Sequence, residues 1–126
     1  MLALRESDAP RTLSSKLVEY VQKPAFPSLR FLKDGVKVSA IPGGGRRVDF
    51  SIRQGTPIPI VYSVQVLAQS LDVLDIFEEM IDYDHIGPFS TDSWVLEITG
   101  WSPRQVTLKL GIEPFEFQTD IMTVKL

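Results

Sequence analysis

The clearest hydrophobic pattern lies between Thr56 and Ile81, where the spacing of apolar residues changes. From Tyr62 to Ala68 apolar residues alternate with mixed ones, which is typical of a strand with one buried face. Beyond Ser70, a candidate N-cap, apolar residues recur every three or four positions and acidic residues fall between them. The apolar set is Leu71, Leu74, Phe77 and Ile81, and the acidic set is Asp72, Asp75, Glu78, Glu79 and Asp82. This pattern predicts an amphipathic helix over about residues 71–83.

Period-two alternation predicts further strands on both sides of this unit. The segments are residues 29–33, 36–41, 48–53, 94–99, 106–110 and 115–126. Asp34-Gly35 between the first two segments predicts a hairpin. The alternation changes parity between Phe117 and Met122, which predicts a bulge near residues 119–120. Residues 83–93, with Gly87-Pro88 inside, are predicted to form a loop.

The N-terminal region predicts an extended arm followed by a short helix. Residues 1–11 are mostly polar, with Leu2 and Leu4 as apolar positions suited to contacts with a neighbour. Thr12 to Gln22 has one apolar face, and Pro24 would end a helix there. Together, the segments predict a single α+β domain over residues 1–126. A mostly antiparallel sheet of six or seven strands would carry the main helix on one face.

Composition excludes several classes of protein. The 126 residues carry a net charge of -3, which argues against a protein that tracks nucleic-acid phosphates, and no base readout is expected. Cysteine is absent, which excludes disulfides, thiolate metal sites and a cysteine nucleophile. The apolar runs are far shorter than the ~20 residues that span a bilayer, and no signal peptide is expected at the N-terminus.

Candidate chemistry is sparse. His85, the single histidine, follows Asp82, Tyr83 and Asp84, a set that could serve acid–base catalysis or bind a metal. A histidine in a solvated loop at a helix C-terminus is the favoured interpretation. The acidic helix face is interpreted as solvated, or as a patch for a basic partner. We therefore expect no catalytic residue, no metal, no cofactor and no enzymatic activity.

Two other features suggest contacts with a partner protein. Gly43, Gly44 and Gly45 precede Arg46 and Arg47, but the segment lacks the Lys-Ser/Thr ending of a P-loop. It is predicted to be a flexible hairpin tip that can act as an interaction loop. Trp101, in a Gly-Trp-Ser-Pro turn, is either a lid on the core or an exposed anchor. The candidate interaction residues are Leu2, Leu4, Gly43, Gly44, Arg46, Arg47 and Trp101.

The entry through Pro57 and Pro59, the strand after it and the helix that begins near Leu71 together resemble a module of phage neck and tail-completion proteins. The resemblance covers about residues 56–126. It departs at Ile60, where such proteins often carry tyrosine. Tail terminators and tail-sheath stabilisers of this type form rings, so the resemblance implies a virion structural subunit assembled in the host cytoplasm. Its partners would be copies of itself and other tail or neck proteins.

Two other functions remain open from the sequence. A small acidic binding or inhibitor protein of the immunity type, in the bacterial cytoplasm, is favoured by the acidic helix but not by a charge of only -3. An enzyme that uses Asp82, Asp84 and His85 is the weakest alternative. Head-to-tail self-association through residues 1–11, the glycine tip and one sheet edge is the expectation for the structural subunit.

Overall fold

Two antiparallel sheets pack face to face in the computed structural model, which describes residues 1–7, 12–13, 29–69, 77–101, 103–113 and 117–126. The strands are β1 (Leu2–Glu6), β2 (Thr12–Leu13), β3 (Leu29–Phe31), β4 (Lys37–Ala40), β5 (Arg46–Gln54), β6 (Ile60–Gln69), β7 (Phe77–Ile86), β8 (Ser90–Ile98), β9 (Gln105–Ile112) and β10 (Phe117–Lys125). A short 3-10 helix, Lys33–Gly35, joins β3 to β4. The fold is a β-sandwich.

The first sheet has the order β1-β8-β5-β3, with β2 also paired to β8 and β4 also paired to β5. The second sheet has the order β10-β9-β6-β7. Strands β1 and β7 contact each other on one side of the sandwich, and β3 and β10 contact each other on the opposite side. The molecule therefore has two lateral borders, each made of one edge from each sheet.

The core lies between the sheets and is built from the inward residues of both. Alternation places every second residue of a strand on the inner face, so β5 and β6 each bury one set of side chains. The largest fully buried side chains include Trp94, Phe50, Leu96, Tyr62, Leu108 and Leu110. Trp94 and Tyr62 come from different sheets and meet edge to face, with ring centroids 6.2 Å apart. This contact fixes how the sheets stack.

The predicted main helix is wrong, and with it the α+β class. Residues Phe77–Ile86 form β7, which pairs with β6 over ten residues, from Gln69 opposite Phe77 to Ile60 opposite Ile86. Apolar residues occupy both faces of this edge strand: Met80 packs against the core, and Ile81 is 47% exposed. Because apolar residues lie on both faces of β7, their spacing, read together with the residues before β7, resembles the three-to-four-residue spacing of an amphipathic helix. Leu71 and Leu74, the first half of the predicted stripe, lie outside the described residues.

Three other predicted elements differ from the structure. The Asp34-Gly35 hairpin is absent, because β3 and β4 both pair with β5 instead of with each other. The predicted loop over residues 83–93 is mostly strand, since β7 continues to Ile86 and β8 begins at Ser90. Of the predicted helix over residues 12–22, Thr12–Leu13 is strand β2, and the remainder lies outside the described residues.

The strands predicted around Val48, Tyr62, Trp94 and Val106 are confirmed as β5, β6, β8 and β9. The predicted bulge is also confirmed, because the pairing of β10 with β9 shifts register between Gln118 and Asp120. Both results have one cause. Each of these strands buries mainly one face, with Val95 of β8 as an outward residue that is also buried, so the alternation is visible in the sequence.

The bulge places Asp120 at a position where its side chain hydrogen-bonds to the other sheet. Its carboxylate accepts hydrogen bonds from the backbone nitrogens of Phe31 (3.0 Å) and Ile121 (2.9 Å) and from Lys33 Nζ (3.2 Å). Burial alone would raise the pKa of Asp120, but these hydrogen bonds and the Lys33 charge outweigh it and hold the pKa below its usual value. Asp120 is therefore ionised in the folded protein at neutral pH.

We expect Asp120→Asn to destabilise the protein at neutral pH by about 1.5–3 kcal/mol, the usual worth of hydrogen bonds to a charged group. Because the folded pKa is lowered, the carboxylate contributes its full stability above the unfolded pKa of about 3.9 and loses it as pH falls through the folded pKa. Urea melts of both proteins at decreasing pH should therefore converge in acid. A difference that is independent of pH would contradict this assignment.

Candidate functional site

Leu2 and Leu4 lie in the protein's own first sheet. Strand β1 pairs with β8 from Leu2 opposite Ile98 to Glu6 opposite Trp94. Leu4 is only 9% exposed, and Leu2 is half-buried against the core. The backbone nitrogen of Leu2 also donates to Glu78 Oε2 at 3.0 Å, which ties β1 to β7. These leucines complete the sandwich instead of forming a loose arm.

The glycine tip joins β4 to β5 at one end of the first sheet. Gly43 and Gly44 both have positive φ, and a β-carbon at either position would meet no atom within 4 Å. Arg46 is exposed, whereas Arg47 donates to both carboxylate oxygens of Asp49, with its Nη2 2.9 Å from Oδ1. The hydrogen bond and charge of Asp49 raise the pKa of Arg47. Arg46 is therefore the tip arginine available to a partner.

Trp101 follows β8 and is half-buried against the core cluster, so it covers the core at that end of the sandwich.

The side chains of Asp82 to His85 do not form one catalytic group. Strand alternation directs Asp82 and Asp84 toward the core side and Tyr83 and His85 toward the outside. The His85 side chain is 77% exposed, and its Nδ1 lies 3.4 Å from Asp84 Oδ1.

Three carboxylates from three strands meet between the sheets. Ligand oxygens of Glu6, Asp84 and Asp92 lie within 4.8 Å of one another. Asp92 is 1% exposed and accepts a hydrogen bond from the Tyr62 hydroxyl at 2.9 Å. In composition this set suits a hard divalent cation such as Ca²⁺. Each of the three residues also has a further interaction, and an acidic cluster alone does not define a cation site.

A groove crosses the outer face of the second sheet, with a volume of about 350 Å³. One row of residues across the sheet explains its shape: Tyr83, Ser63, Gly111 and Gln118 are successive cross-strand neighbours on β7, β6, β9 and β10. Small residues on the two central strands form the floor, and larger ones on the edge strands form the walls. We call this feature the outer groove. Its full lining is Ser63, Gln65, Ile81, Tyr83, Lys109, Leu110, Gly111, Glu113 and Gln118.

The two lateral borders of the sandwich carry opposite charge. The first border consists of β1 and β7 and carries Glu6, Glu78, Glu79, Asp82 and Asp84 against Arg5. We call its β7 strand, which contains neither lysine nor arginine, the acidic edge. The second, the basic border, comprises residues 33–47 and strand β10. Its charged residues are Lys33, Lys37, Arg46, Arg47 and Lys125 against Asp34 and Asp120.

An apolar slot of about 540 Å³ runs along the basic border between β4 and β10. Val38 on β4 is 41% exposed and Ile121 on β10 is 45% exposed, and both line the slot. Among the described strands, β4 pairs with β5 alone and β10 pairs with β9 alone. Both strands therefore present unpaired backbone groups beside exposed apolar side chains.

No known protein family model and no curated protein matches the sequence. Among solved structures, the chain is similar to a GH3 β-glucosidase from Bifidobacterium adolescentis, with 13% identity and a TM-score of 0.52 over 80% of this chain. It is also similar to DesR, a β-glucosidase from Streptomyces venezuelae solved with D-glucose, with 13% identity and a TM-score of 0.50 over 80% of this chain. The match covers 17% and 15% of those chains, respectively. At this identity the likeness shows the fold alone.

Sequence reasoning missed the outer groove and the opposite borders. Both depend on β7, which the helical pattern concealed. The mixed outer face of β6, with Ser63 and Gln65 between buried residues, was visible in the sequence. Its neighbours across the sheet were not, because pairing partners up to about fifty residues apart leave no local signal.

The described residues contain no helix long and apolar enough to cross a bilayer.

Proposed function

We propose that the protein is a non-catalytic structural subunit that self-associates head to tail, with the acidic edge of one copy against the basic border of the next. The observation that carries this proposal is the charge complementarity of two open borders on opposite sides of one sandwich. Opposite charges favour encounter and set orientation. A contact between two different surfaces leaves one free surface at each end, so such an assembly grows into a ring or a filament.

Strand addition supplies the short-range part of this contact. An unpaired strand edge can hydrogen-bond to the edge of another chain. At the basic border, Val38 and Ile121 add apolar surface beside such an edge. At the acidic edge, Ile81 and Tyr83 of β7 are also exposed apolar side chains. Each border thus combines charge, exposed apolar surface and an unpaired strand.

The assembly proposal does not depend on the phage resemblance. The helix in that resemblance is absent over Phe77–Ile86, so we keep self-association and assign no particular assembly. The immunity-type alternative loses its main support, because the described acidic residues form no helix face: Glu79 points outward from β7, whereas Glu78, Asp82 and Asp84 point inward. From the two β-glucosidases we transfer no activity.

Mixing two variants, each with one of its two borders blocked by substitutions, tests the head-to-tail contact. Val38→Glu with Ile121→Glu blocks the basic border, and Glu79→Lys with Ile81→Lys blocks the acidic edge. Light scattering after size exclusion should show an oligomer for the unmodified protein that weakens as salt rises. Each double variant alone should be a monomer, and an equimolar mixture should give a dimer, since each retains one intact border.

Ile58→Glu is the matched control, because Ile58 is 63% exposed but lies in the β5–β6 connection outside both borders. It should assemble like the unmodified protein. An unmodified protein that stays monomeric at high concentration and low salt would refute the proposal. Mixed variants that remain monomers would refute the head-to-tail geometry. Deleting residues 2–10 is a poor test, because it removes β1 from the sandwich.

A further inference from the structure

The outer groove differs in chemistry from both borders. None of the hydrogen bonds and ion pairs found among the described residues uses the side chains of Tyr83, Lys109, Glu113 or Gln118. Tyr83 is 54% exposed, so part of its ring is open to solvent at the groove wall. The groove therefore presents an aromatic surface and several uncommitted polar groups to one volume of about 350 Å³.

The polar groups combine donors and acceptors without a dominant charge. Lys109 donates, Glu113 accepts, and the amide of Gln118 does both. One lysine against one glutamate leaves the groove close to neutral. A ligand that satisfies this set has many polar groups of both kinds, carries little charge, and has an apolar face for the Tyr83 ring.

Other classes of ligand fit less well. Phosphates and nucleic acids need a surplus of positive charge, which the groove lacks. An extended peptide gains much of its affinity from backbone hydrogen bonds. The groove offers few of these, because β6 and β9 already use their backbone groups in ladders on both sides. A wholly apolar ligand would bury Lys109 and Glu113 without partners.

We infer that the outer groove binds a neutral carbohydrate, with a sugar ring stacked on Tyr83 and its hydroxyls hydrogen-bonded by Lys109, Glu113 and Gln118. A volume of about 350 Å³ is near the lower end of the roughly 300–1,000 Å³ of ligand sites, which suits a monosaccharide or a disaccharide unit. Tyr83 and Gln118 stand three strand spacings apart, about 14 Å between backbones, so their side chains enclose space for a ring. This inference does not rest on the self-association proposed above, although Ile81 and Tyr83 belong both to the groove and to the acidic edge.

A glycan array of neutral and acidic glycans, probed with the full chain, identifies the sugar. Calorimetry with the best-bound free oligosaccharide then measures affinity. We expect Tyr83→Ala to weaken binding by at least about tenfold, which corresponds to about 1.4 kcal/mol. Tyr83→Phe keeps the ring and should retain most of the affinity. Gln118→Ala should weaken binding without affecting the melting temperature, because Gln118 is exposed.

Val61→Ala is the matched control. Val61 is 51% exposed on the outer side of β6 but does not line the groove, so its loss should leave affinity unchanged. The inference is overturned if the unmodified protein binds no glycan on the array. It is equally overturned if a glycan binds and neither Tyr83→Ala nor Gln118→Ala weakens it. Lys109→Ala separates the two proposals, because Lys109 lines the groove on the central strand β9, outside both borders; it should weaken glycan binding and leave assembly unchanged.

Discussion

Replacing Trp94 with alanine is expected to destabilise the protein by about 3–5 kcal/mol, the usual cost of truncating a large buried aromatic side chain. The Trp94 side chain is 2% exposed, and its ring meets that of Tyr62 edge to face between the two sheets. Its Nε1 also donates to the Tyr62 hydroxyl at 2.9 Å, and that hydroxyl donates to Asp92. The substitution removes packing and one buried hydrogen bond from the contact that joins the sheets.

Denaturant melts of purified protein measure this loss. Trp101→Ala is the matched control, because Trp101 is half-buried at the end of the core and should cost clearly less. Trp94→Phe should fall between the two, since it keeps an aromatic ring and loses the indole donor. A loss below about 1 kcal/mol for Trp94→Ala, close to the effect of surface substitutions, would show that Trp94 is not between the sheets.

The second large loss of stability is expected on substitution of Gly45, the residue at which the glycine tip leads into β5. Its φ of +122° is a conformation that other residues rarely adopt, and a β-carbon there would overlap the backbone oxygen of Ile98. Gly45→Ala should therefore cost more than the roughly 1–3 kcal/mol of a strained backbone position. The overlap with a backbone atom adds to that cost, because β8 would have to move away from β5.

Gly35→Ala is the control, since no atom lies within 4 Å of a β-carbon at Gly35 and no positive φ is required there. Thermal melts should show a large loss for Gly45→Ala and little change for Gly35→Ala. Gly43→Ala, with positive φ and open space, isolates the backbone strain without the overlap. Equal melting temperatures for the Gly43 and Gly45 variants would contradict the role given to Ile98.

The sequence predicted those strands in which one face is buried. In β6 and β9 the inward residues are all apolar, and in β8 Asp92 is the one charged residue among them, so a period of two is visible without knowing the partners. Strand β7 lies at an edge, with Glu78 and Met80 inward and Glu79 and Ile81 outward, so neither face is uniformly apolar. Its stability comes from the ten-residue ladder with β6, which a local pattern does not reveal.

The candidate sites were also hidden from local sequence patterns, because each is built from strands that are far apart along the chain. Ser63 and Gly111 form the groove floor, and they become neighbours only when β6 and β9 pair. Arg46 and the glycine tip were recognised from local composition, but the basic border also needs β10, which is far along the chain. Residue type alone therefore identified the exposed tip, whereas both extended surfaces required the topology.

The pairing of β1 with β8 also determines when the chain can finish folding. Leu2 lies opposite Ile98, so β1 leaves the ribosome almost a hundred residues before its partner strand. Until β8 is synthesised, β1 and the neighbouring face of the core have no sheet to join, and long-range strand pairing of this kind is intrinsically slow. Nascent chains will therefore carry β1 unpaired, with the apolar side chains of Leu2 and Leu4 exposed, until β8 emerges. Chaperones that bind exposed apolar segments should therefore raise the yield of folded protein.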